Sequence, residues 1–400
     1  MNTQILLKTA TNTLFDNALS FTEELVAFES VTPDDAGCAK WLAEKLEQKG
    51  AEVEILQQNG VTNLLASIGL GYGPNVAFCG HIDVVPAGNL SKWIRPPFRA
   101  IRSDDKLYGR GVADMKGGVA AALAATHALL QEYGQFNGRL WFLITSDEEG
   151  EAEYGSKLIV DLLSKRDVKL DYCVIGEPTA INHTGDMLKV GRRGALSFDV
   201  SLCGRSAHVA YPSQGTNAIH IASTVIEKLK SITWDSGSDD FPGTSLQITH
   251  IDSGKWTDNV IPDKVSLSFN IRYSAQYRET ELIKMVNQIV SEVTSDFTLS
   301  SYRNCDPYLS SCSEGRLSLI KEVETVIHQQ LGLFPRVSTS GGTSDGRFFK
   351  DICPQIVELG LPNKTIHQEN EHVTTKDICV LAEIYKALFQ RLLEEEPRAD

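Results

Sequence analysis

No stretch of this 400-residue sequence is both long and apolar enough to cross a bilayer. The quietest, Gly117–Leu130, is alanine-rich, carries Thr126 and His127, and is too short, so no membrane partner is expected. The opening MNTQILLKTATNTLF holds one three-residue apolar cluster, no small-residue cleavage site and no arginine. It reads as neither a secretory signal nor a transit peptide, and the expectation is a cytoplasmic protein. No C-x-x-C occurs among eight cysteines, and Cys79, Cys173, Cys203 and Cys353 sit in apolar strand-like runs. A thiolate zinc site is thereby disfavoured, and free thiols in a reducing compartment are expected. Basic residues are few, 38 against 52 acidic, for a net charge of -14, and they form no long run. Such a chain repels phosphate backbones, so no nucleic-acid partner is expected. An anionic substrate would need a few arginines to reverse the field locally. GLGYG at 69–73 lacks the third glycine of a dinucleotide fingerprint and meets Pro74, so it reads as a turn.

What is present alternates helical and strand patterns through the first half, in the manner of an α/β domain. An amphipathic helix is expected over Gly37–Lys49, and strands at AEVEIL, NLLASI, NVAFCG, RLWFLITS and YCVIGEP. Ala120–Leu130 reads as a buried helix after a glycine pair. The pattern changes between about Gly191 and Arg303. ALSFDVSLC alternates strictly, with Leu196, Phe198, Val200 and Leu202 on one face. A helix (216–229), strands at TSLQITHI and KVSLSFNIRY, a second helix (279–293) and a strand at FTLSSYR follow. That β-α-β-β-α-β order is the split, ferredoxin-like arrangement. Its open edge strand suggests dimerisation by strand addition. After Asp306 the α/β character returns, with a helix near 317–331, a strand at QIVELG and a last helix at 375–393. The expected layout is a discontinuous catalytic domain, 1–191 and 307–400, with an inserted domain, 192–306. The tail EEEPRAD reads as a solvated end.

Chemistry-bearing residues gather where strands end. CGHIDVVPAG places His81 and Asp83 two apart, on the same side of an extended segment. A ligating histidine commonly donates its other ring nitrogen to a carboxylate; Asp83 fits that role, or orients the site more indirectly. YGRGVADMKGG brings Asp114, LITSDEEG brings Glu148 and Glu149, VIGEP brings Glu177 and TIHQENE brings His367. His81, Asp114, Glu149, Glu177 and His367 form a carboxylate and imidazole set suited to two zinc ions with one bridging carboxylate. Adjacent glutamates in an extended segment face apart, so Glu148 and Glu149 are free to hold different jobs.

On GHIDVVPAG, WIRPPF, LYGRGVADMKGG, TSDEEG, GEPT, GRRG, AHVAYP, NVIP, SGGTSDGRF and IHQENE, the sequence resembles the di-zinc M20 metallopeptidase family over nearly its whole length. The resemblance implies a zinc aminopeptidase-like α/β catalytic domain, a mixed sheet flanked by helices, with an inserted ferredoxin-like α+β dimerisation domain. It also implies two zinc ions per subunit, with cobalt able to substitute. Asp114 would bridge them, His81 and Glu177 would bind one, and Glu149 and His367 the other. Glu148 would be the general acid/base and Asp83 would hold His81. His208, in the inserted domain, would reach the partner subunit's site and stabilise the oxyanion. The expected chemistry is amide hydrolysis by an activated water, with no protein nucleophile. Ile82 stands where the family commonly has threonine, and the N-terminus is longer by about a dozen residues.

Reading an anionic small-molecule substrate falls to Arg193 and Arg272, whose guanidinium forks suit a carboxylate. GGTSDG adds backbone N–H groups and the hydroxyls of Thr343 and Ser344, a nest for a second carboxylate. By resemblance Asn259 and Tyr211 join them. Within the family this set favours an N-succinylated over an N-acetylated amino acid. A deacetylase, a dipeptidase and a peptide-binding homologue without catalysis are the alternatives. The resemblance further implies a homodimer through the inserted domain. His127, His183, His220, His250, His328 and His372 carry no assigned role.

Overall fold

The structure, a computed structural model, describes residues 3–255 and 257–394; the predicted solvated tail lies almost wholly outside them. The chain divides into two compact units. One takes the chain through Gly191, then Leu309–Ser338, then Ser344 onward; the other is Arg192–Tyr308 together with Thr339–Thr343. Thr339–Thr343 thus groups with the inserted segment. The helices run α1 (Thr3–Val26), α2 (Cys38–Glu47), α3 (Gly117–Tyr133), α4 (Ser156–Lys165), α5 (Ala218–Lys230), α6 (Glu279–Ser291), α7 (Leu319–Leu331), α8 (Gly346–Phe349) and α9 (Thr375–Leu393).

The first unit is built on an eight-stranded mixed sheet in the order Glu52–Gln58, Val61–Ile68, Arg139–Thr145, Asn75–His81, Tyr172–Ile175, Ile356–Glu358, Met187–Lys189, Arg336–Ser338. Its middle is parallel, with Asn75–His81 between Arg139–Thr145 and Tyr172–Ile175. Parallel strands are covered on both faces, so they read as unbroken apolar runs. Val76, Ala77, Phe78 and Cys79 are accordingly all buried. The chain leaves Asn75–His81 through α3 for one neighbour, then crosses back through α4 to the other. Right-handed crossovers in opposite directions put α3 and α4 on opposite faces and make His81's strand the switch point.

α3 is buried from Gly117 through His127, which is why it is small and apolar all round. It packs against α1 and α9, and Phe78 meets Phe142, Tyr385 and Phe389 with ring centroids 5.5–6.5 Å apart. All eight cysteines are free thiols, and no helix among the described residues is long and apolar enough to cross a membrane.

The second unit is a four-stranded antiparallel sheet in the order Ser245–Asp252, Lys264–Tyr273, Gly194–Cys203, Phe297–Cys305. Leu196, Phe198, Val200 and Leu202 join Val265, Leu267, Phe269 and Ile271 in a core closed by α5 and α6. The alternate residues form a polar face, where Ser268 donates to Asp199 at 2.6 Å and Asn270 to Ser197 at 3.0 Å. This is the ferredoxin-like order, with Ser245–Asp252 at one edge.

Candidate metal centre

The three parallel strands at the switch point finish on one edge of the sheet. His81 is the last residue of its strand, Glu177 lies just past Ile175, and Glu148 and Glu149 follow Thr145. Those two glutamates occupy a turn, not the extended segment expected, so their divergence comes from the turn and not from strand alternation. Asp114 arrives from the other side, in the irregular turn Val112–Lys116 that precedes α3. Met115 explains how it gets there. A Cβ on Gly80 or on Gly176 would lie 2.5 Å from the Met115 Cε. Glycine at both positions leaves room for this side chain between the strand ends, next to Asp114.

Asp114 is the hub. Its Oδ1 lies 3.1 Å from His81 Nε2 and its Oδ2 3.3 Å from His367 Nε2. Each histidine has a second carboxylate: Glu177 Oε1 at 4.0 Å from His81 Nε2, and Glu149 Oε1 at 2.9 Å from His367 Nε2. The five residues predicted as ligands therefore come together about one shared carboxylate. His81, Asp114 and Glu149 place ligand atoms within 4.8 Å of one another, and so do His81, Glu148 and Glu177.

Four carboxylates around two imidazoles leave a strong demand for positive charge. Burial opposes a charged His81, yet its hydrogen bonds to Asp114 and Asp83 raise the imidazole well above its usual range. Hydrogen bonds to Asp114 and Glu149 lift His367 to about 10. Burial and repulsion from Glu177 push the Glu148 carboxyl well above the usual carboxylate range. Borderline-soft nitrogen and hard oxygen donors, net negative and running from buried His81 and Asp114 out to exposed His367, fit a pair of divalent cations.

Asp83 faces His81 with both its main chain and its carboxylate. His81 Nδ1 lies 2.9 Å from the Asp83 backbone carbonyl and 3.5 Å from its carboxylate. The carboxylate also accepts the backbone N–H groups of Glu148, at 3.4 Å, and Glu149, at 3.1 Å. Asp83 thus orients His81 through its main chain and braces the glutamate turn through its side chain.

The remaining predicted residues are divided between the two units. In the second unit, His208 pairs with Val260 on a short ladder, accepts the Ala210 N–H at Nδ1, and lies 5.9 Å ring to ring from exposed Tyr211. Asn259 is exposed, with its carbonyl accepting the Val209 N–H. Arg272 sits on the polar face of its strand; burial and the charge of nearby Arg193 both disfavour its protonation. Arg193 donates Nη1 to Gly243 at 2.9 Å, while its buried Nε has no hydrogen-bond partner among the described residues. Thr343 is half-buried and belongs to the same unit. Ser344 belongs to the first unit, is buried, and donates its hydroxyl to Glu358. That hydroxyl is engaged inside the fold. GTSDG at 342–346 also spells the G-x-S-x-G of serine hydrolases, but a buried serine held by Glu358 presents no nucleophile.

Residues 77–391 match peptidase family M20/M25/M40. The chain belongs to that family. A succinyl-diaminopimelate desuccinylase 1 of Alteromonas mediterranea is 50% identical, over 92% of this chain and 94% of that one. A succinyl-diaminopimelate desuccinylase 2 of Shewanella loihica is 46% identical, over 93% and 99%. Among solved M20 structures, a Bacillus subtilis protein described as a dinuclear metal-binding peptidase superposes with a TM-score of 0.71 at 16% identity, covering 95% and 99%. That likeness is one of fold. Two buried residues of this M20 chain went unassigned in the sequence, Arg110 and Glu371. The available signal was slight: each stands four positions from a predicted ligand, before Asp114 and after His367.

Proposed function

We propose that this chain hydrolyses N-succinyl-LL-2,6-diaminopimelate to succinate and LL-2,6-diaminopimelate, a step toward diaminopimelate and lysine. The single observation that carries the hydrolytic reading is Asp114 offering one oxygen to each of two histidines, each with its own second carboxylate. Identity of 46–50% over nine-tenths of the chain to proteins named for that activity supports the substrate.

In this reading His81, Glu177 and Asp114 would hold one zinc ion, Asp114, Glu149 and His367 would hold a second, and cobalt would be able to replace them. When bound, such a cation pair polarises a carbonyl and acidifies water. Glu148 takes a proton from the attacking water and returns it to the departing amine. A carboxyl whose pKa is raised by burial suits both halves of that task. Arg193 and Arg272, near enough for the charge of one to act on the other, supply the local positive field for a substrate carboxylate, aided by Thr343, Asn259 and Tyr211.

The protein works as a cytoplasmic homodimer through the inserted unit, with His208 serving the partner's site. Supporting this are the exposed edge strand Ser245–Asp252 and the exposure of His208. The deciding assay is succinate release from synthetic N-succinyl-LL-diaminopimelate, before and after chelation and again after adding zinc back. Turnover that ignores the chelator, or that is faster on N-acetylornithine than on the succinylated substrate, would overturn the reading.

A further inference from the structure

Glu371 is a buried carboxylate, and each of its two oxygens accepts two N–H groups. Oε2 takes Arg110 Nη1 at 2.7 Å and the Gly111 N–H at 2.9 Å. Oε1 takes the Ala113 N–H at 2.9 Å and that of Asp114 itself at 3.2 Å. Its own carbonyl accepts the Gly109 N–H at 3.0 Å. The segment that carries Asp114 is therefore wrapped around a carboxylate from the loop that carries His367. That loop is closed on itself, with Thr365 Oγ1 donating to the His372 carbonyl at 2.7 Å and accepting its N–H at 3.1 Å. Arg110 extends the connection. Its Nη2 faces the Pro86 carbonyl at 3.4 Å, and its guanidinium lies 5.3 Å from the Trp93 ring centre, over the loop that follows His81 and Asp83.

We propose that Arg110 and Glu371 are positioning residues that fix the bridging carboxylate and His367 in one frame, and so set the second metal site. The inference rests on the two-metal reading above. Its physical basis is that an unpaired buried charge is costly while a fully hydrogen-bonded one rigidifies its surroundings. With two donors on each oxygen, even the isosteric Glu371→Gln fails, because its amide NH2 must face a pair of N–H donors. His81 and Glu177 stand on strand ends that Glu371 does not touch, so the first site is affected less.

The test is zinc binding by equilibrium dialysis to metal-free wild-type protein and to Glu371→Gln, Arg110→Met and Arg110→Lys, with thermal unfolding of each metal-free form. The cobalt(II) absorption spectrum is recorded as a second reading of site geometry. Wild type binds two equivalents. In Glu371→Gln the second equivalent weakens about 10–100-fold, the loss typical of residues that orient ligands, the first changes less, and the cobalt spectrum of the second site is altered. Arg110→Met weakens it less, and Arg110→Lys partly restores it. Should Glu371→Gln not fold, the two Arg110 variants decide. Variants that bind both equivalents as wild type does, whatever their melting temperature, overturn the proposal; wild type that fails to bind two overturns the metal reading instead.

Discussion

The carboxylate of Asp83 holds the turn of Glu149 by its backbone, accepting that N–H at 3.1 Å, while His81 leans on the Asp83 carbonyl at 2.9 Å. One residue thereby sets the strand end and the glutamate turn against each other. Asp83→Ala keeps the carbonyl and loses the brace. We expect metal affinity or kcat to fall about 10–100-fold, with the greater effect on the site holding Glu149. Metal analysis beside kcat checks it; unchanged values for both would show that the brace is dispensable.

Glu148 and Glu149 separate by function in a second variant. Glu148→Gln should lower kcat by at least about 100-fold, the lower end of what a positioned acid/base contributes. Zinc content should stay as in wild type. Because Glu148 also stands within 4.8 Å of ligand atoms of His81 and Glu177, the metal count is the informative measurement. Loss of one equivalent would make Glu148 a ligand.

Arg272 tests substrate choice. A charge-assisted hydrogen bond is worth about 1.5–3 kcal/mol, so Arg272→Ala should cost roughly 10–100-fold in kcat/KM on the succinylated substrate. On N-acetylornithine, which lacks the distal carboxylate, the change should be several-fold smaller. Equal losses on both would remove Arg272 from specificity.

Acid stability has a defined contributor away from the metal centre. His127 packs 5.3 Å from Phe21 and donates Nε2 toward the Lys45 carbonyl at 3.2 Å. Burial, with the charge of Lys49 beside it, pulls the imidazole down to about 4. The fold holds the neutral ring and the unfolded chain protonates it near pH 6.5, at about the free value. Its contribution is thus complete above about pH 6.5 and is lost as pH falls from there toward 4. Denaturation midpoints across that range should fall less steeply for His127→Gln; an identical slope would locate the acid sensitivity elsewhere.

Much of this protein was legible from one dimension. Period-two alternation placed Leu196, Phe198, Val200 and Leu202 on one face, because successive side chains of a strand must point oppositely. Parallel strands wrapped by helices must be apolar throughout, so the polar residues that interrupt such runs mark their ends. That is how His81, Glu177 and the pair Glu148 and Glu149 announced themselves, and the spelling around them brought Asp114 and His367. Residue type also set the available chemistry: carboxylates and imidazoles without thiolates, in an acidic chain with a few arginines. What only the tertiary structure decided was who meets whom. Whether Asp83 serves a ring or a turn, whether Ser344 faces outward or toward Glu358, and that Arg110 finds Glu371 across 261 positions all depend on distant segments arriving together. Local sequence governs local geometry through sterics and periodicity. A hydrogen bond between distant segments is chosen by the packing of everything between them, which no short stretch encodes.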